Sequence, residues 1–182
     1  MKKLDYFLQD WRIRKAVPHI PRGSRVLDIG CFDSRLFDAL GERLGYGLGI
    51  DPLATPVQTP RYELRALPFT PALASEGPFD VITLLAVVEH IPEAELPEFA
   101  RNCFALLSPG GVVVITVPDK RVDDILHLLV ALRLIDGMSV HEHHAFDIGS
   151  VPETFGRAGF TAPLHVRFEL GLNNLFVLKK PA

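Results

Sequence analysis

RVLDIGCFDSRL, residues 25–36, reads as a buried strand that runs into a tight turn and then a helix. Val26, Leu27 and Ile29 form the short apolar run expected of a sheet covered on both faces. Gly30 ends the strand, and Asp33 or Ser34 can cap a helix that continues through about Leu44, with Gly45 at its end. Glycine-rich turns at this point gather backbone N–H groups at a helix N-terminus and attract an anion. Here Phe32 and Ser34 stand where such turns usually carry glycine. A phenylalanine lacks glycine's freedom at positive φ unless the loop takes another path, and its ring is free to cover the pocket instead. Serine is small and can cap the helix.

The elements around this turn alternate. Residues 4–17 have Leu4, Phe7, Leu8 and Trp11 on one side of an amphipathic helix, which Pro18 and Pro21 end. YGLGI (46–50) is a second strand, ending at Asp51 and Pro52, and a proline-rich stretch holds a short third strand near residues 62–65. FDVITLLA (79–86) is a fourth strand. A helix from about Ala94 to Leu107, the turn SPGG and a fifth strand, VVVITVP (112–118), follow it. Residues 121–135 give a helix with a broad apolar face, HEHHAFD (141–147) a loop, and VPETFGRAG (151–159) a short helix closed by Gly159. HVRFEL and LFVLKK form a final hairpin that turns around Gly171 and Asn173. The pattern predicts an α/β fold with an open, mostly parallel sheet, helices on both faces and a C-terminal antiparallel hairpin.

Composition narrows the class. A chain of 182 residues, 48% hydrophobic, is the size of one domain with a sizeable core, so residues 1–182 are read as a single unit. No apolar run is long enough to cross a bilayer, and Asp5, Gln9 and Asp10 interrupt the start too early for a signal peptide. Cys31 and Cys103 lack metal-ligand spacing and suggest no disulfide framework, so a soluble cytoplasmic protein is expected. A net charge of -3 gives no reason to expect nucleic acid. Lys2, Lys3, Arg12, Arg14, Lys15, Arg22 and Arg25 nonetheless concentrate positive charge at the N-terminus, as a solvated face or as a lip for an anionic substrate or membrane surface.

Gly30 at the end of the first strand and Asp51 at the end of the second, about twenty residues on, are spaced for a nucleoside-containing ligand. A nicotinamide cofactor fits poorly. Its fingerprint needs glycine at positions 32 and 35, which are Phe32 and Arg35, and no tyrosine is followed by lysine four residues later.

VLDIGCFDS, GLGIDP, LPF, FDVITLLAVVEHIPE, LSPGGVVVITVP, HHAF and RAGF occur in this order from residue 26 to 160. In that order they resemble the class I S-adenosylmethionine-dependent methyltransferases, most of all the small-molecule group containing the ubiquinone-biosynthesis methyltransferases. The resemblance implies the Rossmann-like fold of that class, S-adenosyl-L-methionine as cofactor and a small-molecule methyl acceptor. Carried over residue by residue, it sets Asp28, Gly30 and Asp33 near the methionine amino group, with Cys31 and Phe32 in the same loop. Asp51, followed by Pro52, would hold the ribose hydroxyls, and Glu63 is the nearest match to an acid reaching the adenine amine. Leu84, Leu85 and Ala86 would line the methionine arm. Bracing the turn, capping the helix and forming a turn before proline are the plain alternatives for Asp28, Asp33 and Asp51.

Methyl transfer from a sulfonium needs positioning and exclusion of water, and a hydroxyl acceptor would also gain from a base. His90 and the cluster His141, His143 and His144 are the candidates, with His143 the best match to the family pattern. Adjacent histidines on one loop converge poorly on a metal, so no metal is assigned. The Asn/Asp-Pro-Pro-aromatic motif of nucleobase and glutamine-amide methyltransferases is missing after the fourth strand, where LLAVVEH stands. Residues 1–20 are read as a helical cap and 119–148 as a lid over the acceptor. A non-catalytic cofactor-binding module and a membrane-surface lipid or quinone methyltransferase, in peripheral contact with the bilayer, are the rival readings. Oligomeric state stays open.

Overall fold

Eight strands form one sheet in the computed structural model, which describes residues 3–119, 147–161 and 163–182. They are β1 (Ser24–Ile29), β2 (Leu44–Ile50), β3 (Val57–Gln58), β4 (Tyr62–Arg65), β5 (Phe79–Leu85), β6 (Leu107–Pro118), β7 (Leu164–Phe168) and β8 (Asn173–Lys179). Their order across the sheet is β3-β4-β2-β1-β5-β6-β8-β7. The pairs β4–β2, β2–β1, β1–β5 and β5–β6 are parallel. The hairpin β7–β8 adds antiparallel to β6. The expected open sheet is therefore present.

Side-chain alternation splits the sheet into two faces. Leu27, Ile29, Ile82, Leu84, Val113, Ile115 and Val117 pack toward α3 (Leu96–Leu106) and the helix Ser150–Arg157. Val26, Val81 and Val114 face the other way, under α1 (Lys3–Ala16) and α2 (Arg35–Leu40). Three polar residues, Asp28, Thr83 and Thr116, are buried at the central strands. By alternation they lie on that second face, near the strands' carboxyl ends.

Several boundaries differ from the sequence reading. Residues 57–58 form a two-residue strand antiparallel to β4, too short and too exposed to leave a hydrophobic signature. The helix after the turn stops at Leu40, because Gly41, at φ +51, closes it with its N–H on Phe37 O. Gly45 lies instead in β2, where a Cβ would meet the Gly23 carbonyl oxygen at 2.2 Å. SPGG interrupts β6 rather than preceding it, since its pairing with β5 jumps from Leu107 to Val112. Helix α1 docks through Ile13 and Ala16, while Phe7 is half exposed and stacks edge-on with Trp11 at 5.7 Å. The residue 121–135 helix and most of the 119–148 segment lie outside the described residues. Among the described residues no helix is long and apolar enough to cross a membrane.

Candidate functional site

The chain runs from β1 outward to β2 and β4, then returns to β5 on the other side of β1. The carboxyl ends of β1 and β5 thus flank a topological switch point, where open α/β sheets bind ligands. A cleft with an empty volume of about 340 Å³, part of it open to solvent, lies there. Gln9, Arg12 and Ile13 of α1, Asp28, Gly30 and Cys31 of β1 and its turn, Leu36 of α2 and Leu85 of β5 line it.

Local geometry makes Gly30 obligatory. Its φ is +74, and a Cβ would fall 2.5 Å from Val87 Cγ2. Its N–H donates to Ile50 O at 2.8 Å, and Cys31 N–H to the same oxygen at 3.3 Å, which ties the turn to β2. Phe32 sits at φ +53, so the loop keeps the left-handed route that glycine would take easily. That conformation costs an L-residue about 1–2 kcal/mol. The ring is 41% exposed, so burial offsets little of it. Across the cleft, Ala86 has φ +60, fixed by its N–H on Thr116 O at 3.0 Å and on Thr116 Oγ1 at 3.1 Å. Both walls of the switch point thus hold a strained non-glycine residue, and such outliers persist only where the surroundings over-determine them.

Asp28 is the electrostatic centre. It is buried, and its carboxylate accepts one hydrogen bond, 2.6 Å from Thr83 Oγ1. Burial pushes its pKa up to about 7; the Thr83 hydrogen bond pulls it down, and the charges of Asp33 and Asp51 raise it. Three carboxylates converge here, and no cationic side chain among the described residues contributes to that balance. Burial also raises the Cys31 thiol, helped by the same three acids.

The remaining candidates divide. Asp33 Oδ1 accepts from Arg35 N–H at 3.1 Å, at the start of α2, and from Gln9 Nε2 at 3.2 Å. Ser34 makes no backbone cap and donates to Asp38 Oδ2 instead. Asp51 Oδ1 accepts from Leu53 N–H at 2.7 Å, with Pro52 exposed between them. Glu63, like Asp33 and Asp51, is not among the residues that line the cleft. It pairs with Leu48 in the middle of its strand, and Arg65 takes both its oxygens, at 2.7 and 2.8 Å. Leu84 likewise is fully buried on the opposite face, because alternation leaves only Leu85 toward the cleft. His90 is exposed in the turn Val88–His90 beyond β5. His141, His143 and His144 lie outside the described residues.

Sequence reasoning missed Thr83 and Gln9, and named Arg12 only within the N-terminal basic cluster. A threonine on the α1 side of an otherwise apolar strand was the available signal for the first. Gln9 was read only as a polar break near the start and Arg12 as a solvated or anion-facing charge, yet both line the cleft, and Gln9 Oε1 and Arg12 Nε are buried without a hydrogen-bond partner among the described residues. Helix α1 is clamped to the turn by Asp10, which accepts two bonds from Arg35 at 3.0 Å each.

A family model described as a methyltransferase domain matches residues 2–163. A ubiquinone biosynthesis O-methyltransferase from Pseudomonas putida is 30% identical over 164 residues, which covers 82% of this chain and 68% of the relative. Among solved structures, a SAM-dependent methyltransferase from Archaeoglobus fulgidus superposes with a TM-score of 0.69 at 15% identity, covering 95% of this chain and 93% of that one. The 1,6-didemethyltoxoflavin-N1-methyltransferase of Burkholderia thailandensis, solved with bound 1,6-didemethyltoxoflavin and S-adenosylhomocysteine, gives 0.63 at 19% identity, covering 94% and 79%. The architecture is that of the class I methyltransferases.

Two outcomes follow from this geometry. Asp28 binds its proton more tightly folded than unfolded, so the native state holds the extra proton between about pH 4 and pH 7. Stability of the ligand-free protein therefore falls as pH rises through that window, by up to about 1.4 kcal/mol per pH unit. Denaturant titrations at several pH values should show the slope, and Asp28→Asn should remove this contribution to it. Phe32→Gly relieves the left-handed strain but gives the unfolded chain more freedom, a loss of about 0.5–1 kcal/mol. The melting temperature of that variant should equal or exceed the parent's, and a clear drop would mean that the ring stabilises the fold.

Proposed function

The chain belongs to the methyltransferase-domain family, and from that premise we propose that it binds S-adenosyl-L-methionine at the β1/β5 switch point and methylates a small organic acceptor. The buried, electrostatically uncompensated Asp28 carries this reading. A carboxylate held in the interior beside two other acids, with only a threonine hydroxyl to donate to it, is completed by a cationic ligand group.

The residues fit both ends of such a ligand. Asp28, assisted by Asp33, suits an ammonium. The buried, unpartnered Arg12 Nε suits a carboxylate at the same end of the cleft. Gly30 lets the ligand approach the backbone where any side chain would collide with Val87. Asp51, with one oxygen engaged by Leu53, keeps the other for ribose hydroxyls. Phe32, Pro52, Leu85 and Ala86 supply apolar rim, and Cys31 closes the floor, its sulfur 2.9 Å from where a Gly49 Cβ would stand. Glu63 has no role in this arrangement.

When bound, S-adenosyl-L-methionine supplies an activated methyl group on a sulfonium sulfur. The protein's task is then to hold that group, exclude water and aim the acceptor. Helix α1 serves as the cap, since Gln9, Arg12 and Ile13 form one wall and the Asp10–Arg35 pair fixes it to the turn. An acceptor hydroxyl is favoured by the similarity to O-methyltransferases.

Calorimetry with S-adenosylhomocysteine tests the assignment. The wild type should bind, and Asp51→Ala should lose about 1.5–3 kcal/mol, roughly 10- to 150-fold in affinity. Absence of wild-type binding, or equal affinity in the variant, would refute it.

A further inference from the structure

The amide of Gln9 is the one polar group in the cleft wall to which the arrangement above gives no partner. Gln9 lies in α1, and it lines the cleft together with Arg12 and Ile13 of the same helix and with Asp28 and Gly30. Three residues separate Gln9 from Arg12, so their side chains are neighbours on one helix face. A single hydrogen bond orients the amide. Its Nε2 donates to Asp33 Oδ1 at 3.2 Å, and that same oxygen accepts from Arg35 N–H at 3.1 Å. A carboxylate oxygen takes only the donor end of an amide, which settles where Gln9 Nε2 and Oε1 stand.

Asp33 is not among the residues that line the cleft, whereas Gln9 is. With Nε2 engaged by Asp33, Oε1 is the polar atom that Gln9 has left for the cleft. It is buried and has no hydrogen-bond partner among the described residues. The helix behind it is held separately, because the neighbouring Asp10 takes two bonds from Arg35 at 3.0 Å each. A buried acceptor fixed in place without a donor is an incomplete site. Its neighbours show which donor completes it. Arg12 Nε, also buried without a partner among the described residues, offers a proton. Asp28 receives only the Thr83 hydroxyl and lies beside further acids. An α-amino acid end carries both complements, an ammonium with three N–H donors and a carboxylate with none. The carboxylate has nothing to give Gln9 Oε1; the ammonium has more donors than Asp28 alone engages.

We propose that Gln9 Oε1 accepts a hydrogen bond from the ammonium of the methyl donor, and that Asp33 is a positioning residue that acts on the donor through Gln9. The inference rests on the reading of the cleft as a methyl-donor site. It makes α1 the element that selects ligands with a free α-amino group over nucleosides that lack one.

Gln9→Met keeps the length and the helix propensity of the side chain and removes both polar atoms. Calorimetry compares it with the wild type on three probes: S-adenosylhomocysteine, its deamino analogue, which keeps the carboxylate, and its decarboxylated analogue, which keeps the amine. The variant should bind S-adenosylhomocysteine and the decarboxylated analogue about tenfold more weakly than the wild type, and the deamino analogue within about twofold. Asp33→Ala should weaken S-adenosylhomocysteine binding more than Asp33→Asn, which keeps an oxygen for Gln9 Nε2, and this excess should vanish in the Gln9→Met background. If Gln9→Met fails to fold, Gln9→Ala is measured in its place on the same probes. A loss below about threefold for S-adenosylhomocysteine, an equal loss for the deamino analogue, or a loss that disappears with the decarboxylated analogue overturns the proposal while leaving the donor site standing. An Asp33→Ala excess that persists without Gln9 overturns the positioning role of Asp33. A wild type that does not bind S-adenosylhomocysteine removes the premise and the proposal together.

Discussion

The hydrogen bond from Thr83 Oγ1 to Asp28 Oδ1, 2.6 Å across the β1–β5 pair, is the point on which the site depends. A carboxylate at this depth is expensive to ionise, and one neutral donor does not compensate it. The fold accepts that cost at the one place where the strand order reverses and the parallel strands leave a crevice. On either side of it the chain is held in left-handed geometry, at Gly30 and Phe32 beyond β1 and at Ala86 beyond β5. Strain and uncompensated charge therefore coincide, as expected of a site organised before its ligand arrives.

The N-terminal helix completes this organisation. Its contacts with the sheet are apolar near its end, through Ile13 and Ala16, but one turn earlier its inward face is polar. Gln9 bonds to Asp33, Asp10 pairs with Arg35, and the Arg35 guanidinium lies 4.7 Å over the Tyr6 ring. The turn after β1 and helix α1 are thus a single linked unit.

The sheet was legible because buried parallel strands write themselves as apolar runs: VLDI, ITLL and VVVITV each give their strand directly. Gly30 and Asp51 were legible from spacing, since strand ends in this fold recur at fixed intervals. Alternation was applied too loosely at Leu84, which points into the core because Thr83 and Leu85 take the other face. The partner that Glu63 finds was hidden for a related reason. Its register against Leu48 sets it mid-strand, where Arg65 two residues on can grip it, and register is not written in a single strand. Phe32 could be flagged from sequence as a departure, but only its φ of +53 shows that the loop kept its path and absorbed the strain. Gln9 was hidden, and Arg12 was visible only as one charge in a basic cluster, because polar residues on a helix read as solvent-facing until tertiary contacts turn them inward.

The central claim is that Asp28 awaits a ligand's positive charge, and the pH dependence of S-adenosylhomocysteine binding tests it most directly. Only the ionised acid attracts an ammonium, and burial pushes the Asp28 pKa up to about 7. Affinity measured by calorimetry should therefore rise between pH 6 and pH 8, steeply below pH 7, toward a limit of about tenfold per unit, and then level off. Asp28→Asn should bind more weakly and show no such rise. A wild-type affinity that is flat across this range, or an equal rise in the variant, would contradict the account.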